Sequence, residues 1–151
     1  MKVVFFLILF CILVLMDQFS KKVVLEGYRL KKGIFEITLV YNEGSAFGMK
    51  IFKNHEYIII NPLILVIFAL FVFYKISKIE DLNFKNYYLL SFMFVVAGGV
   101  GNLIDRILHG KVVDFISIYI FPVFNLADIF ITIGILIMSF LLLNEHRKVS
   151  S

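Results

Sequence analysis

Four long apolar runs, separated by short polar junctions, constrain this chain more than any motif does. They extend from Val3 to Leu25, Tyr57 to Tyr74, Tyr87 to Ile104 and Val123 to Leu143. A helix needs about 20 residues to cross roughly 30 Å of hydrocarbon, and each run is close to that length. With 61% hydrophobic residues and 18 phenylalanines among 151 residues, the chain cannot hide its apolar surface inside a soluble core. The expected fold is an all-α membrane protein of four transmembrane helices, one domain over residues 1–151, with both termini on the same side.

Met1-Lys2 followed by the uncharged run Val3 to Met16 also matches the first two regions of a cleaved signal peptide. No small-x-small cleavage site follows, and the chain turns apolar again after DQFSKK, so retention as a helix is expected. Cys11 is the only cysteine, which excludes an internal disulfide, and Phe10 stands where a lipid-modification site wants a small residue. The formal charge of +4 is spread over every polar segment, so anionic lipid headgroups account for it and no nucleic-acid partner is implied. Charge bias does not orient the chain. With cytoplasmic termini, six Lys and Arg fall inside and nine outside, opposite to the usual excess.

The longest polar junction follows the first run. In YRLKKGIFEITLVY a Lys-Lys-Gly turn separates two β-rich stretches, so a small hairpin or sheet is expected there. Next comes NEGSAFG, whose Asn42, Gly44 and Gly48 tolerate positive φ; it is either a plain surface turn or a shaped loop. The other junctions are an inner loop, Lys75 to Asn86, and an outer loop, Asp105 to Pro122, which carries Asp114.

Polar groups inside apolar runs are expensive, and an acid there is a functional candidate by default. Asp17 and Lys21 are four apart, a spacing that pairs them on one helix face, either as structural glue or as part of a site. In AGGVGNLIDR, Gly98, Gly99 and Gly101 allow a neighbouring helix to approach closely, while Asn102, Asp105 and Arg106 share a face. An amide and a permanent cation on that face suit the orientation of a nearby carboxylate. Asn125, Asp128 and Thr132 fall on one stripe of the last run, and Asp114 lies 14 residues before Asp128. Pro122 turns the chain between them and can fold the Asp114 loop back over the stripe.

The motifs DQFSK, NEGSAF, GGVGNLIDR, VVDF and FNLAD occur here in the order and spacing of the lipoprotein signal peptidases, or signal peptidase II, which the chain resembles from Asp17 to Asp128. The resemblance implies an aspartyl endopeptidase of the bacterial inner membrane. It implies four transmembrane helices, with a small β-rich cradle on the extracytoplasmic face between the first and second. Its substrates would be diacylglyceryl-modified prolipoproteins, cut just before the lipid-bearing cysteine; membrane lipids and globomycin-like inhibitors are the other implied partners. The family's catalytic dyad corresponds to Asp114 and Asp128. Its supporting residues correspond to Asp17, Lys21, Asn42, Gly44, Asn102, Arg106, Asn125 and Ala127. No cofactor and no metal is implied.

Two neighbouring carboxylates cannot both ionise cheaply, so they share a proton, one activating water and the other protonating the leaving group. Other classes fit less well. A serine enzyme needs an activated hydroxyl, but Ser20 and Ser45 have no suitable histidine. A magnesium enzyme acting on lipid phosphates would recruit Asp105, Asp114 and Asp128, although His55, His109 and His146 make no ligand spacing. A small proton-coupled carrier would use the same acids as a relay.

Overall fold

The structure, a computed structural model, describes residues 2–43, 54–79 and 82–149. It is mostly helical: α1 (Lys2–Leu25), α2 (Asn54–Lys78), α3 (Leu82–His109) and α4 (Leu126–Val149), with strands β1 (Leu30–Lys32), β2 (Phe35–Asn42) and β3 (Val112–Ile118). Among the described residues, three stretches, Val4–Leu25, Phe84–His109 and Leu126–Asn144, are long and apolar enough to cross a membrane. The outward faces of α1 and α4 carry bare Phe5, Leu15, Phe19, Leu136 and Phe140, a surface suited to lipid and not to water.

α3 is the central helix, packed against α1, α2 and α4. Val72, Tyr88, Met138 and Leu141 join α2, α3 and α4 in one buried cluster, and Leu13, Ala97 and Phe130 join α1, α3 and α4 in another. The glycines of AGGVGN permit this closeness, as their spacing suggests. A Cβ on Gly98 would collide with the Ala127 carbonyl oxygen of α4, and one on Gly101 would stand 2.5 Å from Asp17 Oδ2 of α1.

The expected hairpin is present: β1 and β2 pair antiparallel around a turn at Gly33. The outer loop departs from expectation. Asp105 belongs to the last turns of α3, and VVDF lies on a strand, not a loop. β3 pairs with β2, so the sheet is three-stranded in the order β1-β2-β3, and one strand comes from between α3 and α4. Local periodicity could not reveal this, because a seven-residue apolar segment reads equally well as buried strand or helix end. The inner loop is shorter than expected, since α2 runs to Lys78 and α3 begins at Leu82.

Gly110, with φ of 70°, ends α3 in the left-handed conformation that favours glycine, and its N–H donates to the Arg106 carbonyl at 3.0 Å. The chain is thereby turned directly into β3. After β3 it reverses through Tyr119–Phe121, and Phe124 pairs back onto Ile116. This fold-back delivers Asn125 to the start of α4 beside Asp114, as the position of Pro122 suggests.

The sheet rests on the end of α1 and the start of α4. Val24, Phe115 and Ile116 are buried together, with Ile37, Leu126 and Ile129 packed around them.

Candidate active site

Asn125 is the N-cap of α4, and Asp128 is three residues on. The Asn125 side-chain oxygen accepts the Asp128 N–H at 3.0 Å, while the Asp128 carboxylate accepts the Asn125 N–H at 3.2 Å. These reciprocal bonds satisfy two otherwise orphaned donors at the helix start and fix the Asp128 side chain. The other oxygen of Asp128 accepts from Asn102 Nδ2 of α3 at 2.8 Å.

Asp114 is held from two sides. Asn125 Nδ2 donates to its Oδ1 at 2.6 Å, and Asn42 Nδ2, at the end of β2, donates to its Oδ2 at 2.9 Å. Asn125 therefore touches both acids, one through its side chain and one through its backbone. Burial pushes the Asp114 carboxyl up to about 6, and the neighbouring Asp128 charge adds to this. The amides of Asn42 and Asn125 and the ammonium of Lys21 pull the other way. Burial and a neighbouring like charge both favour the protonated form of a carboxyl.

Asn42 reaches Asp114 because of an irregularity in the sheet. Ile37 is opposite Ile116 and Val40 is opposite Asp114, so β2 carries one extra residue in a bulge. Beyond it Asn42 is opposite Val112, on the same face as Asp114; without it Asn42 would align with Lys111 and face the other way.

A second layer of buried polar groups underlies the acids. Lys21 Nζ lies 2.7 Å from Asp17 Oδ2, 2.9 Å from Asp105 Oδ2 and 3.1 Å from Asn102 Oδ1. An ammonium has three N–H donors, and these three acceptors use them all. Asp17 also accepts the Ala127 N–H at 2.9 Å, placing a carboxylate at the electropositive start of α4. Ala127 itself is fully buried beside Gly101, where a larger side chain has no room. Among the described residues, no buried side-chain nitrogen or oxygen lacks a partner.

The structure thus brings together Asp17, Lys21, Asn42, Asn102, Asp114, Asn125, Ala127 and Asp128. Arg106 is nearby on α3, where its Nη1 donates to the Asn102 carbonyl at 3.3 Å. Gly44 falls outside the described residues, as does the rest of NEGSAF beyond Glu43. Thr132 shares the stripe, but its hydroxyl bonds back to the Asp128 carbonyl of its own helix. Ser20 likewise bonds the Asp17 carbonyl, and Lys21 is fully engaged with its three acceptors, so the pair makes no serine–lysine centre.

The sequence alone points to Asp105 only as a neighbour of Asn102 and Arg106 and as a ligand in the magnesium alternative, and it does not point to Gln18. Asp105, buried, accepts from Lys21, from the Val113 N–H at 3.0 Å and from Gln18 Nε2 at 3.2 Å. Gln18 also donates to Asp17 and to the Gly101 carbonyl. For Asp105 the signal was available: it lies three residues after Asn102, and apart from Arg106 its near neighbours Leu103, Ile104, Ile107 and Leu108 are apolar, which marks a costly acid. Among the described residues, no three His, Cys, Asp or Glu side chains are grouped so as to hold a metal ion.

The family profile described as signal peptidase (SPase) II matches residues 9–144. The lipoprotein signal peptidase of Caldicellulosiruptor bescii is 44% identical over 113 residues, covering 75% of this chain and 70% of that relative. That of Helicobacter pylori (strain Shi470) is 34% identical over 152 residues, covering 97% of this chain and 93% of the relative. A bacterial membrane enzyme solved by the in meso method at 2.3 Å resolution is 31% identical, with a TM-score of 0.73 and coverage of 93% of this chain and 88% of that one. A second such structure, at 1.9 Å, has 30% identity, a TM-score of 0.72 and coverage of 91% and 92%.

Proposed function

This chain belongs to the signal peptidase II family, and from that premise we propose that it removes signal peptides from bacterial prolipoproteins with Asp114 and Asp128 as its acid–base pair. The observation that carries the assignment is Asn125, which bonds both carboxylates at once.

With one proton shared between the acids, the ionised member takes a proton from water as the oxygen attacks the scissile carbonyl. The protonated member donates to the carbonyl oxygen. As the tetrahedral species collapses, one of its hydroxyls returns a proton to the pair, the C–N bond breaks, and the departing nitrogen takes a proton from the pair, which again holds one shared proton. No covalent intermediate forms. Asn42 and Asn102 each donate to one acid, fixing its orientation, and Asn125 sets the separation between them. Asp17, Lys21 and Ala127 tie together the helices that carry these groups, and Arg106 bonds the Asn102 carbonyl within α3.

Substrates are precursors bearing a diacylglyceryl-modified cysteine, cut just before that residue, with the acyl chains in lipid beside the helices. A globomycin-type cyclic peptide would compete for the same acids. The decisive assay is cleavage of a lipid-modified prolipoprotein by the purified protein before and after exhaustive chelation. A proton-sharing pair needs no Lewis acid, so full activity is expected in EDTA. Loss in EDTA with recovery on adding magnesium or zinc would move the carboxylates into a metal site.

We place all four helices across the bacterial inner membrane, both termini in the cytoplasm, and the sheet with Asp114 at the extracytoplasmic face. After replacement of the exposed Cys11 by serine, single cysteines at positions 32 and 78 test this in intact cells. An impermeant thiol reagent should label position 32 and spare position 78. The opposite pattern would invert the topology.

A further inference from the structure

Asp105 touches neither of the two acids in any bond described above, yet it lies where the supports of both converge. It is buried near the end of α3, and one oxygen, Oδ2, accepts two hydrogen bonds with different destinations.

The first bond comes from the N–H of Val113, the residue before Asp114. β3 is an edge strand, paired with β2 on one side and bridged on the other by Phe124 at Phe115 and Ile116. Val113 turns its N–H to Asp105 at 3.0 Å and its carbonyl to Asn125 Nδ2 at 3.3 Å, so its backbone polar groups are taken by side chains of α3 and of the α4 cap. Those two bonds dock the strand onto the helices and set the depth at which Asp114 projects.

The second bond comes from Lys21 Nζ at 2.9 Å. The same ammonium donates to Asn102 Oδ1 at 3.1 Å, which turns the amide so that its Nδ2 faces Asp128 at 2.8 Å. Gln18 Nε2 holds the remaining Asp105 oxygen at 3.2 Å and stops the carboxylate from rotating.

We infer that Asp105 is a positioning residue for both acids, holding Asp114 through the backbone of Val113 and Asp128 through Lys21 and Asn102. The inference rests on the reading of Asp114 and Asp128 as the catalytic pair. The relative placement of the two carboxylates then depends on one buried side chain that meets no substrate.

The test is steady-state cleavage of a lipid-modified prolipoprotein by purified, monodisperse Asp105→Ala and Asp105→Asn variants, with Asp114→Asn in parallel. Misplacing a catalytic group by about 1 Å costs on the order of 100-fold, so Asp105→Ala should lose roughly that much in kcat. KM should stay within about threefold of the parent, because no substrate contact is removed. In Asp105→Asn the amide oxygen still accepts the Val113 N–H, and at least about tenfold of the lost kcat should return. Residual structural glue would instead lower the folded yield and leave kcat per folded molecule unchanged.

If Asp105→Ala does not fold, replacing the Val113 amide by an ester removes the same N–H and leaves the carboxylate on Lys21. Its kcat should also fall, with KM unchanged. Parental kcat in folded Asp105→Ala or in the ester variant would overturn the inference, as would a loss expressed wholly in KM. An Asp114→Asn enzyme that still cleaves would instead overturn the catalytic pair, whereas a dead Asp114→Asn beside a fully active Asp105→Ala sinks the positioning role alone.

Discussion

Asp114→Asn and Asp128→Asn should each abolish cleavage of a lipid-modified prolipoprotein while leaving the protein inserted and folded. Asparagine keeps the size and most of the hydrogen bonding but cannot hold and pass the shared proton, and removing a member of such a unit costs on the order of 10⁴-fold or more. The double variant should be no worse than either single, since groups acting as a unit are strongly non-additive. Substantial turnover by either folded single variant would remove that residue from the pair. A stability signature accompanies the loss. Asp114 has a folded pKa of about 6 against an ordinary value of 3.8, so its protonated form favours the folded state and that contribution is lost as pH rises between those values. Asp114→Asn escapes this loss and should unfold at higher temperature than the parent above pH 6.

Lys21→Met should be the most damaging single change to stability. The lysine is 2% exposed and is the ion-pair partner of both Asp17 and Asp105. Removing one member of a buried ionic group costs about 3–5 kcal/mol, because the charges left behind lie in a medium that cannot solvate them. Here two carboxylates would be stranded. Thermal unfolding in detergent measures the loss, and adding Asp17→Asn and Asp105→Asn to Lys21→Met should recover a substantial part of it. That recovery is the coupling expected of residues sharing one network. A Lys21→Met protein as stable as the parent would show that water reaches the site and solvates the acids.

Much of the site was legible because its elements are local. Asp17 and Lys21 pair through a four-residue helical spacing, and their 2.7 Å ion pair follows from that geometry. The N-cap of α4 is not legible in this way: Asn125 reads as one position of a helical stripe inside a run from Val123, whereas α4 begins at Leu126 with Asn125 as its cap. The glycines of α3 announced close packing, and the Lys-Lys-Gly turn announced the hairpin. For the ion pair and the hairpin the partners lie within about one helical turn or one tight turn of each other, so covalent geometry sets their relation before the chain folds, whereas the glycines show that a helix can approach but not which one.

The sequence by itself determined the apolar runs, the hairpin, and which acids lie in positions too costly for chance. It did not determine which strand Asp114 would join, that Asn42 would share its face, or that Asp105 would hold Val113. The first two depend on a pairing across 72 residues, between Asn42 and Asp114, and the third on how the turn at Gly110 leads α3 into β3. A single added residue in β2 decides whether Asn42 faces Asp114 or the opposite side of the sheet, because strand side chains alternate with a period of two. Local propensity is almost blind to such a slip; only the packing of the sheet against α1 and α4, which buries one face and fixes the register, selects between the two.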